Sequence, residues 1–423
     1  MSGTMHLVRS FSSSRAQPKL YRTTECLRWL QVVAVIIIVM CVQWSNGANI
    51  TCELCENENF QIEIDACYVT KAITLAKDEP LNFTVNSTTP FNITSVLFTP
   101  SGQLQSNITE IPKEIFRIFP QLRKLEIRGA IQQIARDDFY MARNLQHLTL
   151  NNQLEIIRSR VFENASSLIS ITLSRNRIVR IEDNAFQGLY ALEQLTLSKN
   201  QLTALNRLMF AGLIKLNYLN IRDNDIETIE NGTFALPSLS ELILSKNRLK
   251  TLSDHIFNGA PILRLAIDNN ALETIGNSMY NLVQMNRIIM YQNKIRDIDI
   301  IAFAKMPELN TLWLRDSGFN FGNRTLDQYQ PTASKVNYLD ISYNHLSDPD
   351  DFLKLQIFKQ LKTLTVDDND YTEFNMGNRT IHEALPDLET FHLSRNKWNC
   401  TWLKPILEQA RIEHIRTVQS QCE

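Results

Sequence analysis

The stretch Leu168-Ile-Ser-Ile171-Thr-Leu173-Ser-Arg-Asn176-Arg-Ile178 recurs 24 residues later as Leu192-Glu-Gln-Leu195-Thr-Leu197-Ser-Lys-Asn200-Gln-Leu202. Twelve stretches of the 423-residue chain match this pattern in register, 23 to 27 residues apart. They start at Leu122, Leu145, Leu168, Leu192, Leu216, Leu239, Ile262, Met285, Leu309, Val336, Leu361 and Leu388. A degenerate thirteenth copy starts at Ile93. Repetition at this period indicates a solenoid in which each repeat packs against its neighbours.

The apolar pair in each copy alternates with a polar residue, as in Leu195-Thr-Leu197. In an extended segment both leucines then face one side, so stacked copies predict one parallel sheet with a continuous apolar core beneath it. An asparagine follows each strand where the chain must turn, and its buried amide can bond the backbone of neighbouring turns. These asparagines are Asn176, Asn200, Asn224, Asn247, Asn270, Asn293, Asn344, Asn369 and Asn396.

Aromatic residues recur about eighteen residues after each start and predict a second row of core side chains on the opposite wall. They are Phe139, Phe162, Phe186, Phe210, Phe234, Phe257, Tyr280 and Phe303. Regularity weakens at Ser317, which takes the asparagine position, and residues 319–331 are inserted before the next copy. The insertion predicts a longer convex loop, with a binding loop as the alternative. The acidic stretches 348–351 and 367–370 do not match a calcium-binding loop and are interpreted as solvated turns.

The pattern L-x-x-L-x-L-x-x-N-x-L resembles the leucine-rich repeat family in its extracellular form, over roughly residues 93–423. The resemblance implies an α/β solenoid shaped like a horseshoe, with a parallel concave β-sheet, about 12–13 repeats and cysteine-containing caps. The sequence Asn396-Lys-Trp398-Asn-Cys400 is similar to the start of the family's C-terminal cap. Family caps usually carry Cys-x-Cys there, but this chain has Trp402 in place of the second cysteine, so only part of the usual bridge set can form.

The N-terminal region predicts export. Its first 29 residues carry five basic side chains against one acid, and the apolar run Leu30 to Val42 is shorter than the ~20 residues of a membrane-spanning helix. Small residues before Ala48 predict cleavage there. The expected organisation is a signal peptide over 1–47, an N-terminal cysteine cap over 48–92, repeats over 93–398 and a C-terminal cap over 399–423. The alternative is an uncleaved signal anchor that keeps the repeats outside the cell.

Asn-x-Ser/Thr triplets support export and predict glycosylation of several sites. They occur at Asn49, Asn82, Asn86, Asn92, Asn107, Asn164, Asn231, Asn323, Asn378 and Asn399. None of those within the repeats falls on a predicted strand, so glycans would decorate the convex side and leave the concave face bare.

Five cysteines follow the signal region: Cys52, Cys55, Cys67, Cys400 and Cys422. In an oxidising compartment Cys400 and Cys422 can pair across a capping helix that begins near Trp402, and Cys67 can pair with Cys52 or Cys55. One cysteine is then left over, which predicts a bridge to a second chain or a free thiol. The Cys52-x-x-Cys55 spacing also begins zinc sites, but no second ligand pair follows, so no metal is expected.

The third, fifth, seventh and eighth positions of each copy face outward and define the concave face. In the fifth to tenth copies these positions carry Tyr218, Ile243, Arg264, Arg287, Ile289, Tyr291, Trp313, Arg315, Tyr338 and Tyr343. Tyr, Trp and Arg dominate the energetics of protein interfaces, so these residues are the predicted partner-binding site. The alternative is that Trp313 and the isoleucines only pack against cross-strand neighbours.

Other functional classes are disfavoured. The 43 Lys and Arg residues balance 45 Asp and Glu residues, which gives a net charge of −2 and no electrostatic basis for nucleic-acid binding. No nucleophile, phosphate-binding or dinucleotide motif occurs in a supporting context, so neither an enzyme nor a cofactor is expected.

The predicted function is recognition of another protein through the concave face. The chain also resembles the soluble leucine-rich proteins of insect immunity, especially a mosquito group whose members pair through cysteines and engage complement-like factors. That resemblance implies an innate-immune role in recognition or scaffolding, with a disulfide-linked repeat chain or a complement-like factor as partner. The alternatives are a cell-adhesion or developmental ligand, and a membrane-tethered receptor held by residues 30–42.

Overall fold

The structure is a computed structural model of the whole chain. It describes residues 94–98, 107–112, 114–296, 298–322, 325–330 and 332–418. It also gives the backbone of five short strands nearer the N-terminus, which are Met40–Val42, Asn49–Cys52, Ala66–Val69, Thr74–Leu75 and Asn82–Val85. Most of the expected signal peptide therefore lies outside the described residues.

One parallel sheet runs through the molecule, and its fifteen described strands follow one another in chain order. They are Ala66–Val69, Ser95–Phe98, Lys124–Arg128, His147–Asn151, Ser170–Thr172, Gln194–Thr196, Tyr218–Asn220, Glu241–Ile243, Arg264–Ala266, Arg287–Ile289, Thr311–Trp313, Tyr338–Asp340, Thr363–Thr365, Thr390–His392 and Arg416–Val418. Equivalent positions of successive copies pair directly, as Leu195 does with Leu219. The predicted sheet is therefore confirmed, including the strand of the degenerate copy at Ile93. One further strand from each predicted cap extends it.

The opposite side of the solenoid consists of turns, short strands and short helices. Three short parallel strand pairs join Thr74–Leu75 to Asn107–Ile108, Ile156–Ile157 to Arg180–Ile181, and Ala204–Leu205 to Thr228–Ile229. A small sheet pairs Asn49–Cys52 with Met40–Val42 and Asn82–Val85. The α-helices in the described part of the chain are Ile115–Ile118, Ile300–Ala304, Asp351–Lys354, Ile381–Ala384 and Cys400–Ile412, and the 3₁₀ helices there are Arg136–Phe139, Leu326–Gln328 and Leu355–Ile357. Among the described residues, no helix is both long enough and apolar enough to cross a membrane.

The core lies between these two walls. The inward leucines of each strand are completely buried, as Leu195 and Leu197 illustrate. The aromatic row packs ring against ring on the other side, with centroid distances of 5.3 Å from Phe139 to Phe162 and 5.8 Å from Phe162 to Phe186. Contacts of this kind add to the burial of apolar area, which supplies most of the stabilisation. The aromatic row is confirmed as core.

The asparagines form the predicted ladder between repeats. Asn200 donates through Nδ2 to the carbonyls of Leu173 at 3.0 Å and Leu197 at 2.8 Å, and its Oδ1 accepts from the N–H of Ile178 at 3.1 Å. Asn152 makes equivalent bonds. The sequence pattern missed it because it is the eighth residue of its copy, whereas the other ladder asparagines are the ninth. Each buried amide thus satisfies backbone groups of two adjacent repeats.

In the ten copies from Leu168 to Leu388, the residue directly before the ladder position has a positive φ, between 47° and 61°. The residues are Arg175, Lys199, Asp223, Lys246, Asn269, Gln292, Asp316, Tyr343, Asp368 and Arg395. This conformation turns the backbone so that the N–H of Lys199, for example, donates to the carbonyl of Arg222 in the next copy at 2.9 Å.

The insertion at 319–331 packs its aromatic side chains into the core. Phe319, Phe321 and Tyr329 are buried, and the Tyr329 hydroxyl donates to the carbonyl of Phe321 at 2.6 Å. The described part of the insertion therefore favours a structural loop over a dedicated binding loop. Asn323 and Pro331 lie outside the described residues.

A charge network lies against this insertion and corrects the interpretation of residues 348–351 as a solvated turn at one position: Asp351 is buried, whereas Asp348 is exposed as predicted. Lys354 Nζ is 2.7 Å from Asp348 and 2.9 Å from Asp351, and it lies 5.4 Å from the centre of the Phe321 ring. The Tyr371 hydroxyl donates to Asp351 at 2.9 Å. Although burial opposes it, the hydrogen bonds to the two carboxylates raise the pKa of Lys354, while burial raises the pKa of Asp351.

The C-terminal end of the core is covered by the helix Cys400–Ile412, which begins two residues before the predicted Trp402. The indole N–H groups of Trp398 and Trp402 donate to the carbonyls of Leu393 and Phe374, at 2.6 and 3.1 Å. Their rings stack at 5.0 Å and shield the last repeat from water.

Only part of the predicted cysteine arrangement falls on described residues. Cys400 is disulfide-bonded. Its predicted partner Cys422 and the N-terminal Cys55 lie outside the described residues, as do the side chains of Cys52 and Cys67. The N-terminal pairing and the unpaired cysteine therefore stay predictions.

Candidate binding surface

All ten residues of the predicted partner-binding site lie on the concave face with at least part of the side chain in contact with water. The strand Arg287–Ile289 illustrates the reason: Arg287 and Ile289 are accessible, whereas Ile288 between them is buried. The alternation of a β-strand thus places core and surface residues in neighbouring positions.

An apolar cluster forms around Trp313 on this face. Ile289 pairs in register with Trp313, and the Trp313 ring centre lies 6.3 Å from that of Tyr291 and 5.8 Å from that of Tyr338. Burial, together with Asp268 for Tyr291 and Asp340 for Tyr338, raises the pKa of both tyrosines. We call Ile289, Tyr291, Trp313 and Tyr338 the Trp313 cluster.

Cross-strand packing accounts for the ring contacts of this cluster but not for the indole nitrogen. Trp313 Nε1 is buried and has no hydrogen-bond partner among the described residues. An indole N–H is a donor only, and leaving such a donor buried and unbonded costs about 1–3 kcal/mol.

The four charged and aromatic residues around the cluster differ in their partners. Arg264 is bound to Glu241, with nitrogen to oxygen distances of 2.6 and 2.8 Å. Arg287, one strand further on, has no carboxylate partner in the described part of the chain. Arg315 stacks over the ring of Tyr343 at 4.1 Å. Arg287 is therefore the guanidinium most available to a ligand.

Two of the predicted residues lie away from the Trp313 cluster. Tyr218 is on a strand separated from that of Trp313 by three others, and its hydroxyl accepts a hydrogen bond from Asn220 at 3.1 Å. Ile243 lies on the strand between those of Tyr218 and Arg264. The candidate site is therefore the group of predicted residues from Arg264 to Tyr343.

Two carboxylates that the sequence analysis did not select lie near Trp313. Asp340 pairs in register with Trp313 and is itself buried. Asp367 follows the next strand, Thr363–Thr365, and its Oδ1 accepts from the N–H of Ser394 at 2.6 Å. His392 Nδ1 is 3.8 Å from Asp367, and burial raises the pKa of Asp367. Both acids occupy outward positions, five and seven of their copies, so the same rule that selected Trp313 could have found them.

The described side chains of the concave face do not form a metal-binding cluster. Within the described ranges, no group of three or more His, Cys, Asp and Glu side chains is arranged to hold an ion. The acids near Trp313 instead bond to the protein itself, since Asp340 accepts from the N–H of Ser342 at 3.0 Å.

The potential glycosylation sites on described side chains avoid the concave face. Asn164, Asn231, Asn378 and Asn399 all lie outside the strands of the large sheet, and Asn399 caps the C-terminal helix. Asn86, Asn92 and Asn323 lie outside the described residues, and the side chains of Asn49, Asn82 and Asn107 are not described. Attachment of glycans at these positions stays a prediction.

A parallel sheet with one strand per repeat, a buried asparagine ladder and a concave face rich in aromatic residues define a leucine-rich repeat binding protein. The chain belongs to the leucine-rich repeat family: the family model described as "BspA type Leucine rich repeat region" matches in six copies, over residues 109–235 and 203–330, which together make up just over half of the chain. Proteins of this fold are typically binding scaffolds without catalytic activity.

Among curated proteins, the chain is similar to Acidic leucine-rich nuclear phosphoprotein 32 family member A of Drosophila pseudoobscura and of Drosophila melanogaster. Identity is 33% over 86 residues, which is 20% of this chain. The match spans 31% of the length of either relative, less than a third.

Solved structures share the fold at low identity. A leucine-rich repeat protein of Leptospira interrogans is 18% identical with a TM-score of 0.58, covering 77% of this chain and 90% of that one. The leucine-rich repeat domain of APL1B is 18% identical with a TM-score of 0.50, covering 79% and 82%. A chain of the Toll–Spatzle complex, described as a hub in Drosophila development and innate immunity, is 18% identical with a TM-score of 0.50, covering 78% and 52%.

Proposed function

We propose that this chain is an exported leucine-rich repeat protein that recognises another protein through its concave face in innate immunity. The observation that carries the proposal is the Trp313 cluster, in which three aromatic side chains and Ile289 lie together, partly exposed, on the concave face. Aromatic and arginine side chains in such patches supply most of the binding energy of protein interfaces.

The immune part of the proposal rests on two observations. The sequence resembles soluble leucine-rich proteins of insect immunity, and the fold is similar to that of Toll, whose complex with Spatzle is described as a hub in innate immunity. A complement-like protein is accordingly the proposed partner.

The first experiment tests the site. The purified protein, its Trp313→Ala variant and a Thr172→Ala control would be immobilised, and haemolymph from microbe-challenged insects passed over each. Thr172 occupies the same outward position five in an early copy. We expect the wild type and the control to retain a complement-like protein, identified by mass spectrometry, and Trp313→Ala to retain about 30-fold less, as for a typical hot-spot tryptophan. Equal retention by all three proteins would exclude the Trp313 cluster.

The second experiment tests export and covalent pairing. Protein collected from the medium of expressing insect cells would be freed of glycans and compared on gels with and without reductant. A mature N-terminus near Ala48 and a halving of apparent mass on reduction are the expected results. An intact N-terminus on cell-associated protein would instead identify a tethered receptor.

A further inference from the structure

Two outward charges lie on either side of the apolar pair Ile289 and Trp313. Arg287, one strand before Trp313, has no carboxylate partner among the described residues. Asp367, in the copy two strands after Trp313, has no Lys or Arg partner there, and its nearest cationic group is His392 Nδ1 at 3.8 Å. Other outward charges nearby are already bonded, as Arg264 is to Glu241 and Asp268 to Ser245.

We propose, resting on the proposed function of the concave face, that the partner contributes an extended peptide segment with an acidic residue at one end, an apolar residue in the middle and a basic residue at the other. The acidic residue binds Arg287, the apolar residue covers Ile289 and Trp313, and the basic residue binds Asp367. The partner's charge pattern therefore fixes the direction in which it crosses the sheet.

The spacing of the strands sets the length of this segment. Arg287 and Asp367 lie three strands apart, about 14 Å at ~4.8 Å per strand, and four positions apart along the strands, about 13 Å. The direct distance is therefore about 20 Å, which the long arginine side chain shortens. In an extended chain, side chains on one face recur every ~6.7 Å, so the acid and the base are about four to six residues apart.

The separation of Arg287 and Asp367 favours an extended segment over a helix. An extended chain covers about 20 Å in about six residues, whereas a helix rises only ~1.5 Å per residue and needs about thirteen. A short linear segment therefore reaches both charges only when it is extended. A uniformly anionic polymer is also disfavoured, because it would meet Asp340 and Asp367 with like charge.

The test uses synthetic peptides of alternating apolar and threonine residues. One carries glutamate and lysine six residues apart, a second four apart, and matched peptides replace glutamate, lysine or both by glutamine. Dissociation constants would be measured by fluorescence anisotropy for the full-length protein and for the variants Arg287→Glu, Asp367→Asn and Trp313→Ala. The control is Lys124→Glu. Lys124 occupies position three of its copy, as Arg287 does, but it lies seven strands away in the sheet.

We expect Arg287→Glu to weaken the glutamate-containing peptides about tenfold or more while leaving the glutamine counterparts unchanged, and Asp367→Asn to act in the same way on lysine. Lys124→Glu should have no effect. Equal binding of charged and uncharged peptides, stronger binding of an all-acidic peptide or of heparin, or no binding above a scrambled peptide would each overturn the inference. The proposed site is tested separately, because Trp313→Ala should weaken every peptide regardless of its charge.

Discussion

At the scale of single residues, the ladder asparagines and the residues before them act together. A positive φ costs a non-glycine residue roughly 1 kcal/mol, yet arginine, lysine, aspartate and tyrosine all adopt it at the same position of successive copies. The cost is offset because the turn directs a backbone N–H to the next repeat and places the asparagine amide on three backbone groups, as Asn200 shows.

Removing one ladder amide should therefore destabilise the protein strongly. Asn200→Ala leaves the N–H of Ile178 and the carbonyls of Leu173 and Leu197 without these bonds in a dry environment. We expect the free energy of unfolding in urea to fall by about 2–4 kcal/mol, since each unsatisfied buried group costs ~1–3 kcal/mol. The control is Asn281→Ala, whose side chain is exposed, and a change of equal size there would contradict this account.

The sequence predicted the ladder wherever the asparagine kept its position, but it missed Asn152 because that copy is one residue shorter before the turn. It could not predict the positive φ, since the residues there share no chemical type. Their common conformation comes from the repeat-to-repeat hydrogen bonds, which only the folded solenoid contains.

At the scale of structural elements, the buried Lys354 network connects the helix Asp351–Lys354 to the insertion and to the next repeat. Lys354 lies over Phe321 of the insertion, and Tyr371 of the following copy bonds to Asp351. The sequence suggested solvated acids at 348–351 because the stretch does not match a calcium-binding loop. Asp348 is exposed, but Asp351 is buried beside Lys354, which lies against Phe321 of the insertion, and nothing in the local pattern indicates that contact.

This network should make stability depend on pH in the alkaline range. Burial raises the pKa of Tyr371 well above 10, its value in an unfolded chain. Above pH 10 the unfolded state loses this proton while the folded state keeps it, so the stabilisation is complete below pH 10 and falls by ~1.4 kcal/mol per pH unit above it. Tyr371→Phe should lower the free energy of unfolding by about 1–3 kcal/mol at pH 8 and show a shallower decline between pH 10 and 11.

The measurement is chemical unfolding of both proteins at each pH. Tyr140→Phe is the matched control, because the Tyr140 side chain is 70% exposed. An unchanged slope in Tyr371→Phe would show that the hydroxyl is not protected in the folded protein.

At the scale of the whole molecule, the sequence predicted which positions face outward on the concave face. It did not predict which of the charged residues there form ion pairs. The outward positions follow from the strand register, so Trp313, Tyr291 and Tyr338 were placed on one surface from sequence alone. Selection by residue type then omitted Asp340 and Asp367, and it could not show that Arg264 is bound to Glu241 while Arg287 is not. Those pairings depend on side-chain geometry across strands.

A solenoid should also lose stability locally when one end is weakened, because each repeat contacts only its neighbours. Cys400→Ser removes the disulfide that anchors the C-terminal helix, at a cost of about 2–4 kcal/mol. Hydrogen exchange should speed up first in Thr390–His392 and Arg416–Val418 and stay slow in Gln194–Thr196. The matched control Cys67→Ser, at the opposite end, should leave the C-terminal strands protected, and uniform loss of protection in Cys400→Ser would contradict nearest-neighbour coupling.

The alternation along each strand has an evolutionary consequence. Ile288 holds the core together while Arg287 and Ile289 on either side of it meet the solvent, and the same separation recurs in copy after copy. Point mutations at the outward positions can therefore change the concave surface while the inward positions keep the apolar core that the fold requires. A lineage under pressure from changing partners can diversify such a protein quickly, without first having to reinvent its scaffold.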